Sequence, residues 1–332
     1  MVLILTDHLN KKEAIGRFRD IIETSSEFWI GCTAVEIGIF DIISNRKVTV
    51  HEISKQNKWN ESIIEALCNC LVSYGYLEKD NNLYYLSKFS DRYLAKNSPD
   101  YLGFFLESAH LFNVFSQLTE NIVSGKELIQ PNGMWKPITK ISALIGEEIP
   151  NIMLEKFPFL LKEDCRILDL GCGRMHQSIQ LAKSNPKITV IGIESNDETI
   201  EDVNDTLKKE NLESRIKIIK EDLTKFDTNL KFDIIFFNHI LHCLPHEVNV
   251  EILNKSQKWL KEGGYMFIFD DLLLEDKTAP KESVKKNLLA NMLGSKIYSI
   301  PELEELLVGR GFENIESLPL RRRIVITGKK IK

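Results

Sequence analysis

ILDLGCGRMHQSIQLA, residues 167–182, is the stretch that decides the fold. An apolar run ends at Asp169 and Leu170, glycines follow at 171 and 173, and helical spacing then takes over. A strand, a glycine turn and a helix in that order let the backbone approach a ligand, because glycine makes the tight turn with no side chain in the way. A dinucleotide site would continue as GxGxxG. Here the third position falls on His176, so that reading is weak and the ligand has to be sought downstream.

Outward from this turn the chain alternates strand-like runs with amphipathic helices. The runs are CRILDL (165–170), ITVIGIE (188–194), RIKIIKED (215–222), FDIIFFN (232–238), YMFIFDD (265–271) and RRRIVITGKK (321–330). Such alternation predicts an α/β domain with a parallel, doubly wound sheet and ligands at the carboxyl ends of its strands. Glu194 ends the second run, where a carboxylate accepts hydrogen bonds from the hydroxyls of a ribose. Asp222 ends the third, within reach of an adenine amine. Gly263-Gly264 precede the fifth.

The first part of the chain has another period. Apolar residues from Glu23 to Ser44 recur at three and four, which predicts one helix. Next come a short strand at Val48–Val50, a helix from Glu52, and a helix from Glu61 to Tyr74 with Asn60 as its N-cap. Strands at Tyr76–Glu78 and Leu83–Leu86 follow, turned by residues 79–82. This is a winged-helix pattern. Its second helix carries Glu61 and Glu65 and no Lys or Arg, the wrong sign for phosphate. A winged-helix regulator of DNA is therefore the minor alternative, and burial against a second copy of the chain is favoured. Residues 101–160 read as further helices with aromatics at Phe104, Phe105, Phe112, Phe115, Phe157 and Phe159. These are read first as core, and alternatively as the lining of an apolar substrate pocket.

At 332 residues the chain has room for two domains. Its net charge of -5, with 43% hydrophobic and 27% charged residues, suits a soluble cytoplasmic protein with no nucleic-acid or membrane partner. No apolar run approaches the ~20 residues of a membrane span, and the N-terminal stretch lacks a signal peptide's pattern. The six cysteines show no zinc spacing and read as reduced thiols.

The acid-x-Gly-x-Gly turn, Glu194, Asp222 and the Gly-Gly pair occur in the order that resembles the class I S-adenosylmethionine-dependent methyltransferases. AVEIGIFDII (34–43), LVSYGYLEKDNNLYYLS (71–87) and SPDYLGFFL (98–106) resemble the dimerisation domain of the small-molecule O-methyltransferases of the caffeate and polyketide type. The resemblance implies a Rossmann-like methyltransferase domain over 161–332. It also implies a mainly helical winged-helix dimerisation domain over 1–105 and a helical linker over 106–160 that contributes to the substrate pocket.

The cofactor implied is S-adenosylmethionine, leaving as S-adenosylhomocysteine, with no metal. Gly171 and Gly173 would lie along its methionine part, with Asp169 and Asn238 completing the set. Glu194 would hold the ribose, and Asp222 and Leu223 the adenine. The family often has a third glycine where this chain has Met175. In FNHILHCLPHEVNVEIL (237–253), His242 matches the family's general base, and Asp270 its orienting acid, with Asp271 as the neighbour that can replace it. Two family acids are missing, at Cys243 and Ile297. Their absence leaves carbon or nitrogen methylation, or a non-methylating reaction, as alternatives to O-methylation. In KESVKKNLLANMLGS (281–295), Asn287, Asn291 and Met292 are the candidates to face a small, aromatic or natural-product-like hydroxyl substrate of secondary metabolism. His239, His242 and His246 have the spacing of one helix face, but Pro245 interrupts it and argues against a metal set.

Overall fold

The computed structural model describes residues 10–108, 114–127 and 135–331. Phe112 lies outside them. The chain forms two compact units, 1–112 and 113–332.

In the first unit, α1 (Lys11–Glu36) and α2 (Ile39–Ile43) replace the single helix that the spacing predicts. Gly38, at φ +75°, breaks it by entering the left-handed region that glycine tolerates. β1 (Val48–Thr49) is shorter than expected because Thr49 is already the cap of α3 (Val50–Asn57). The Thr49 backbone N–H donates to Glu52 Oε2 at 2.7 Å, and the Glu52 N–H to Thr49 Oγ1 at 3.2 Å. α4 (Glu61–Ser73) starts at Asn60, whose Oδ1 accepts from the Ile63 N–H at 3.1 Å, as expected. β2 (Leu77–Asp80) and β3 (Leu83–Leu86) pair antiparallel around Asn81-Asn82, a tighter turn than the four residues read from sequence. With β1 they make a sheet in the order β1-β3-β2, and α5 (Lys88–Tyr93) and α6 (Phe104–Glu107) follow. Ile39, Phe40, Ile53, Cys68, Leu71 and Tyr84 form this unit's core.

The second unit begins with α7 (Leu118–Ser124), α8 (Trp135–Leu144) and α9 (Ile149–Lys156). Then β4 (Cys165–Leu170), α10 (His176–Ser184), β5 (Ile188–Glu194), α11 (Asp197–Lys209), β6 (Ile216–Lys220) and β7 (Phe232–Asn238) alternate. They are followed by α12 (His246–Trp259), β8 (Leu260–Asp271), α13 (Lys281–Met292), α14 (Ile300–Val308), β9 (Phe312–Leu320) and β10 (Arg323–Lys330). The sheet order is β6-β5-β4-β7-β8-β10-β9.

β6 through β8 pair in parallel, but β10 runs antiparallel to both β8 and β9, so the sheet is mixed rather than wholly parallel. Gly263-Gly264 lie inside β8 instead of before it. Along β7, Ile234 and Phe236 face one core, and Phe232, Ile235 and Phe237 the other, as a strand covered on both faces requires. Phe157 joins the first of these cores, its ring 4.7 Å from Tyr265, and Phe159 packs beside it. Core is therefore the correct reading for both. Strand order reverses between β4 and β7, so their carboxyl ends open a crevice at the switch point. Asp169 and Asn238 stand at those ends. Among the described residues no helix is long and apolar enough to cross a membrane, and all six cysteines are free.

Candidate active site

The turn after β4 puts Gly171 at φ +65° and Gly173 at φ +49°. A Cβ on Gly171 would stand 2.7 Å from the Ile240 side chain, so glycine is required there by space as well as by backbone. Met175, in place of the third glycine, keeps the left-handed backbone at φ +53°. A side chain there costs of order 1–3 kcal/mol. Gly192 in β5 makes the room: a Cβ on it would meet Met175 Cε at 2.6 Å and Cys172 Sγ at 2.7 Å. Sequence reading singled out Met175 and passed over its partner, because nothing local links them.

Glu194 is already engaged. Its Oε2 accepts from the Gly173 N–H at 3.1 Å, and its Oε1 from the Ser195 and Asn196 N–H groups at 2.8 and 2.9 Å. A carboxylate has about four lone-pair sites, so capacity remains for a ribose hydroxyl. Asp222 is exposed beyond β6; its Oδ1 accepts from the Thr224 N–H and hydroxyl, and these bonds lower its pKa. Leu223 packs on the core.

Asp169 is buried, with Oδ2 accepting from the Ser178 hydroxyl at 2.6 Å and Oδ1 without a partner among the described residues. Burial pushes its carboxyl up to about 7; the Ser178 bond opposes this and the Glu194 charge adds to it. Asn238 Nδ2 donates to Gln177 Oε1 at 3.1 Å.

β8 ends beside the short turn Leu241–Cys243, and there the acid and base meet. His242 Nδ1 bonds directly to Asp270 Oδ1. Asp270 Oδ2 accepts from the Leu241 N–H at 3.0 Å, and the Ser295 hydroxyl donates to the His242 carbonyl at 2.8 Å, which fixes the turn. Burial works against a charged His242, but the Asp270 carboxylate, helped by Cys243, raises its pKa above the ordinary imidazole range. Asp270 falls below the carboxylate range, because its pairing with His242 outweighs burial. His242 Nε2 has no hydrogen bond among the described residues.

His239, at φ +54°, packs its ring edge-on to Phe269 with centroids 4.7 Å apart. It lies 3.7 Å from Asp271 and 3.9 Å from Asp270, too far to bond either, and burial holds its pKa down to about 3. Lys286 of α13 pairs with Asp271. Two carboxylates thus face one imidazolium and one ammonium. His246 does not join His239 and His242; it meets the Tyr298 hydroxyl at 3.1 Å. The ligand atoms of His239, His242, Asp270 and Asp271 do lie within 4.8 Å of one another, an arrangement that the spacing alone did not indicate.

The substrate candidates are engaged within the protein. Asn287 Oδ1 accepts from the Ile297 N–H at 2.8 Å, Asn291 donates to the Asn287 carbonyl at 2.7 Å, and Met292 is buried. Ile297, at a missing acid's position, is also buried, and Cys243 turns its thiol toward the His239 carbonyl. Lys286, which sequence reasoning missed, is the α13 side chain that reaches the acid cluster. A basic residue four before Ala290, on the buried side of that helix, was its only signal.

A switch-point glycine turn, strand-end acids and an antiparallel β10 define a Rossmann-like methyltransferase fold. Residues 161–305 match the model of a methyltransferase domain, and residues 31–96 that of an O-methyltransferase dimerisation domain. Pavine N-methyltransferase of Thalictrum flavum subsp. glaucum is 34% identical over 109 residues, covering 32% of this chain and 30% of that one. L-tyrosine C(3)-methyltransferase of Streptomyces lavendulae is 29% identical over 150 residues, covering 44% and 41%. The chain thus spans less than half the length of these relatives. The solved structure of an O-methyltransferase family protein from Burkholderia thailandensis superposes with a TM-score of 0.79 at 18% identity, over 98% of this chain and 99% of that one. Residues 161–305 are thus a methyltransferase domain and residues 31–96 an O-methyltransferase dimerisation domain, the two parts expected of an S-adenosylmethionine-dependent O-methyltransferase.

Proposed function

We propose that the chain methylates a hydroxyl of a small aromatic or natural-product-like molecule, with His242 as general base and Asp270 as its partner. The observation that carries this reading is the His242–Asp270 bond at the rim of the strand-end crevice. S-adenosylmethionine, when bound, supplies a methyl already made electrophilic by the sulfonium. The chain's residues then have to place an acceptor in line with it and remove a proton. Asp270 holds Nδ1 and so directs Nε2 at the acceptor. The residues present suit the cofactor: the Gly171 and Gly173 backbone gives close access, Glu194 has spare acceptor capacity, and Asp169 and Asn238 each keep an unpartnered buried oxygen for a cationic ammonium. Asp222 and Leu223 complete the adenine side, and Asn287, Asn291 and Met292 remain the proposed substrate contacts on or beside α13.

Calorimetric titration with S-adenosylhomocysteine tests the cofactor. Asp169 adds a sign. Its pKa is raised in the fold, so the folded protein holds a proton on it below about 7, and a ligand ammonium favours the ionised form. Affinity is expected to rise from about pH 6 to 8, and to lose that slope in Asp169→Asn. Absence of binding to folded wild type rejects the reading.

Loss of the acids at Cys243 and Ile297 leaves His242 with one carboxylate partner, and this favours a carbon or nitrogen acceptor as the second reading. The product's methyl position, read by NMR, separates the two.

The dimerisation domain supports a homodimer, with bounds of 1–105, a linker at 106–160 and the catalytic domain at 161–332. On α1, Phe18 and Ile22 are 66% and 65% exposed, with Ile15 on the same face. Phe18→Asp with Ile22→Asp is expected to halve the mass measured by light scattering. An unchanged dimer would place the interface elsewhere. We assign no nucleic-acid or membrane partner and a cytoplasmic location, in keeping with an α4 that carries Glu61 and Glu65 without basic residues.

A further inference from the structure

We propose that Gln177 reads the amino-acid end of the cofactor and is what lets the site distinguish a ligand with that end from one without it. This rests on the methyltransferase reading above.

The first turn of α10 is fastened to two strand ends at once. The Ser178 hydroxyl donates to Asp169 at the end of β4, and Gln177 accepts from Asn238 at the end of β7. Each fastening uses part of each group's capacity. Asp169 Oδ1, Asn238 Oδ1 and Gln177 Nε2 are buried and have no partner among the described residues. Buried polar atoms in a native fold are paired as a rule, so three orphans around one crevice mark a polar ligand.

Their chemistry is specific. Two are acceptors and one is a donor, the complement of an ammonium together with a carboxylate on one carbon. Exchanging the O and N of both amides changes which residue donates, but the pair still offers one donor and one acceptor outward. Gln177 itself is only 3% exposed, so its free N–H groups cannot turn to bulk water.

Gly146, between α8 and α9, packs against this amide and holds it in place. A Cβ there would lie 2.7 Å from Gln177 Nε2 and 3.2 Å from the Phe269 ring. Any side chain at 146 would push the amide out of the place it occupies. The glycine is thus matched to Gln177, and sequence reading singled out neither.

The test compares two ligands by calorimetry: S-adenosylhomocysteine, and 5′-deoxy-5′-methylthioadenosine, which has the nucleoside and thioether but no amino-acid end. In Gln177→Leu the first is expected to weaken ~10–100-fold and the second to stay within about threefold. Gly146→Ala, which leaves Gln177 in place but displaces its amide, is expected to give the same selective loss in a chain whose unfolding midpoint confirms that it folds. Unchanged S-adenosylhomocysteine binding in both variants overturns the proposal. Equal weakening of both ligands overturns it too, since that reports a merely structural role. Wild type that binds neither ligand rejects the cofactor reading as well.

Discussion

Replacing His242 with alanine is expected to lower kcat/KM for methyl transfer by ~10²–10⁴-fold, with S-adenosylhomocysteine affinity near wild type. The split follows from geometry. His242 bonds to Asp270, while the proposed cofactor contacts rest on the ends of β4, β5 and β7. Deleting the ring removes the proton acceptor and leaves the glycine turn alone. Asp270→Asn has a different signature. The Asp270 carboxylate raises the His242 pKa above the ordinary imidazole range, so at neutral pH the resting ring is charged and has no lone pair to offer. The rising limb of the pH–rate profile is therefore expected above the ordinary histidine range in wild type. It is expected to move to lower pH in Asp270→Asn, with a reduced plateau because the amide no longer stabilises the imidazolium that forms.

Linkage adds a stability term of the same sign. A histidine whose folded pKa is raised stabilises the fold below its unfolded value, and that contribution is lost as pH rises through the folded value. Wild type is expected to lose stability at alkaline pH in urea melts, and His242→Ala to remove that loss. Wild-type turnover in His242→Ala, or a limb that ignores Asp270→Asn, would take the pair out of the mechanism.

Gly192→Val is expected to destabilise the second unit by about 1–3 kcal/mol or more through overpacking, and to weaken S-adenosylhomocysteine binding with it. The added Cβ would stand 2.6 Å from Met175 Cε, 2.9 Å from its Sδ and 2.7 Å from Cys172 Sγ. Methionine is a flexible neighbour, yet Met175 is only 1% exposed and its backbone is held at φ +53°. The strain therefore passes to the turn between Gly171 and Gly173. Met175→Gly removes both the obstructing side chain and the left-handed strain, at the expense of packing. In that background Gly192→Val is expected to cost less, with a coupling of about 0.5–3 kcal/mol in a double-mutant cycle read by urea unfolding. Additive effects would show that Met175 and Gly192 do not share the space.

Much of this was legible locally. Asn60 announced α4, since a cap needs only its own next residues. The turn at 169–173 and Glu194 at the end of β5 follow from strand ends, which are marked by a change of hydrophobic period, whereas the proposed base and its acid at 242 and 270 came from the family resemblance. The break at Gly38 went unread and the start of α3 was placed at Glu52 instead of Val50, because amphipathic spacing does not stop where a glycine or a capping threonine stops the helix. The antiparallel β10 was read as one more parallel strand. Its apolar run shows burial on both faces, and burial is the same for either direction.

By itself, then, the sequence determined the alternation of strands and helices from β4 to β8 and the chemistry available at each strand end, since these depend on residue type and short-range period. Tertiary structure alone decided which of two adjacent aspartates bonds His242, that His246 turns away to Tyr298, that Lys286 balances Asp271, and that Gly192 yields to Met175 and Gly146 to Gln177. Each of these joins residues far apart in the chain. Space and charge are settled where strands and helices meet, and no local pattern records which neighbours will meet there.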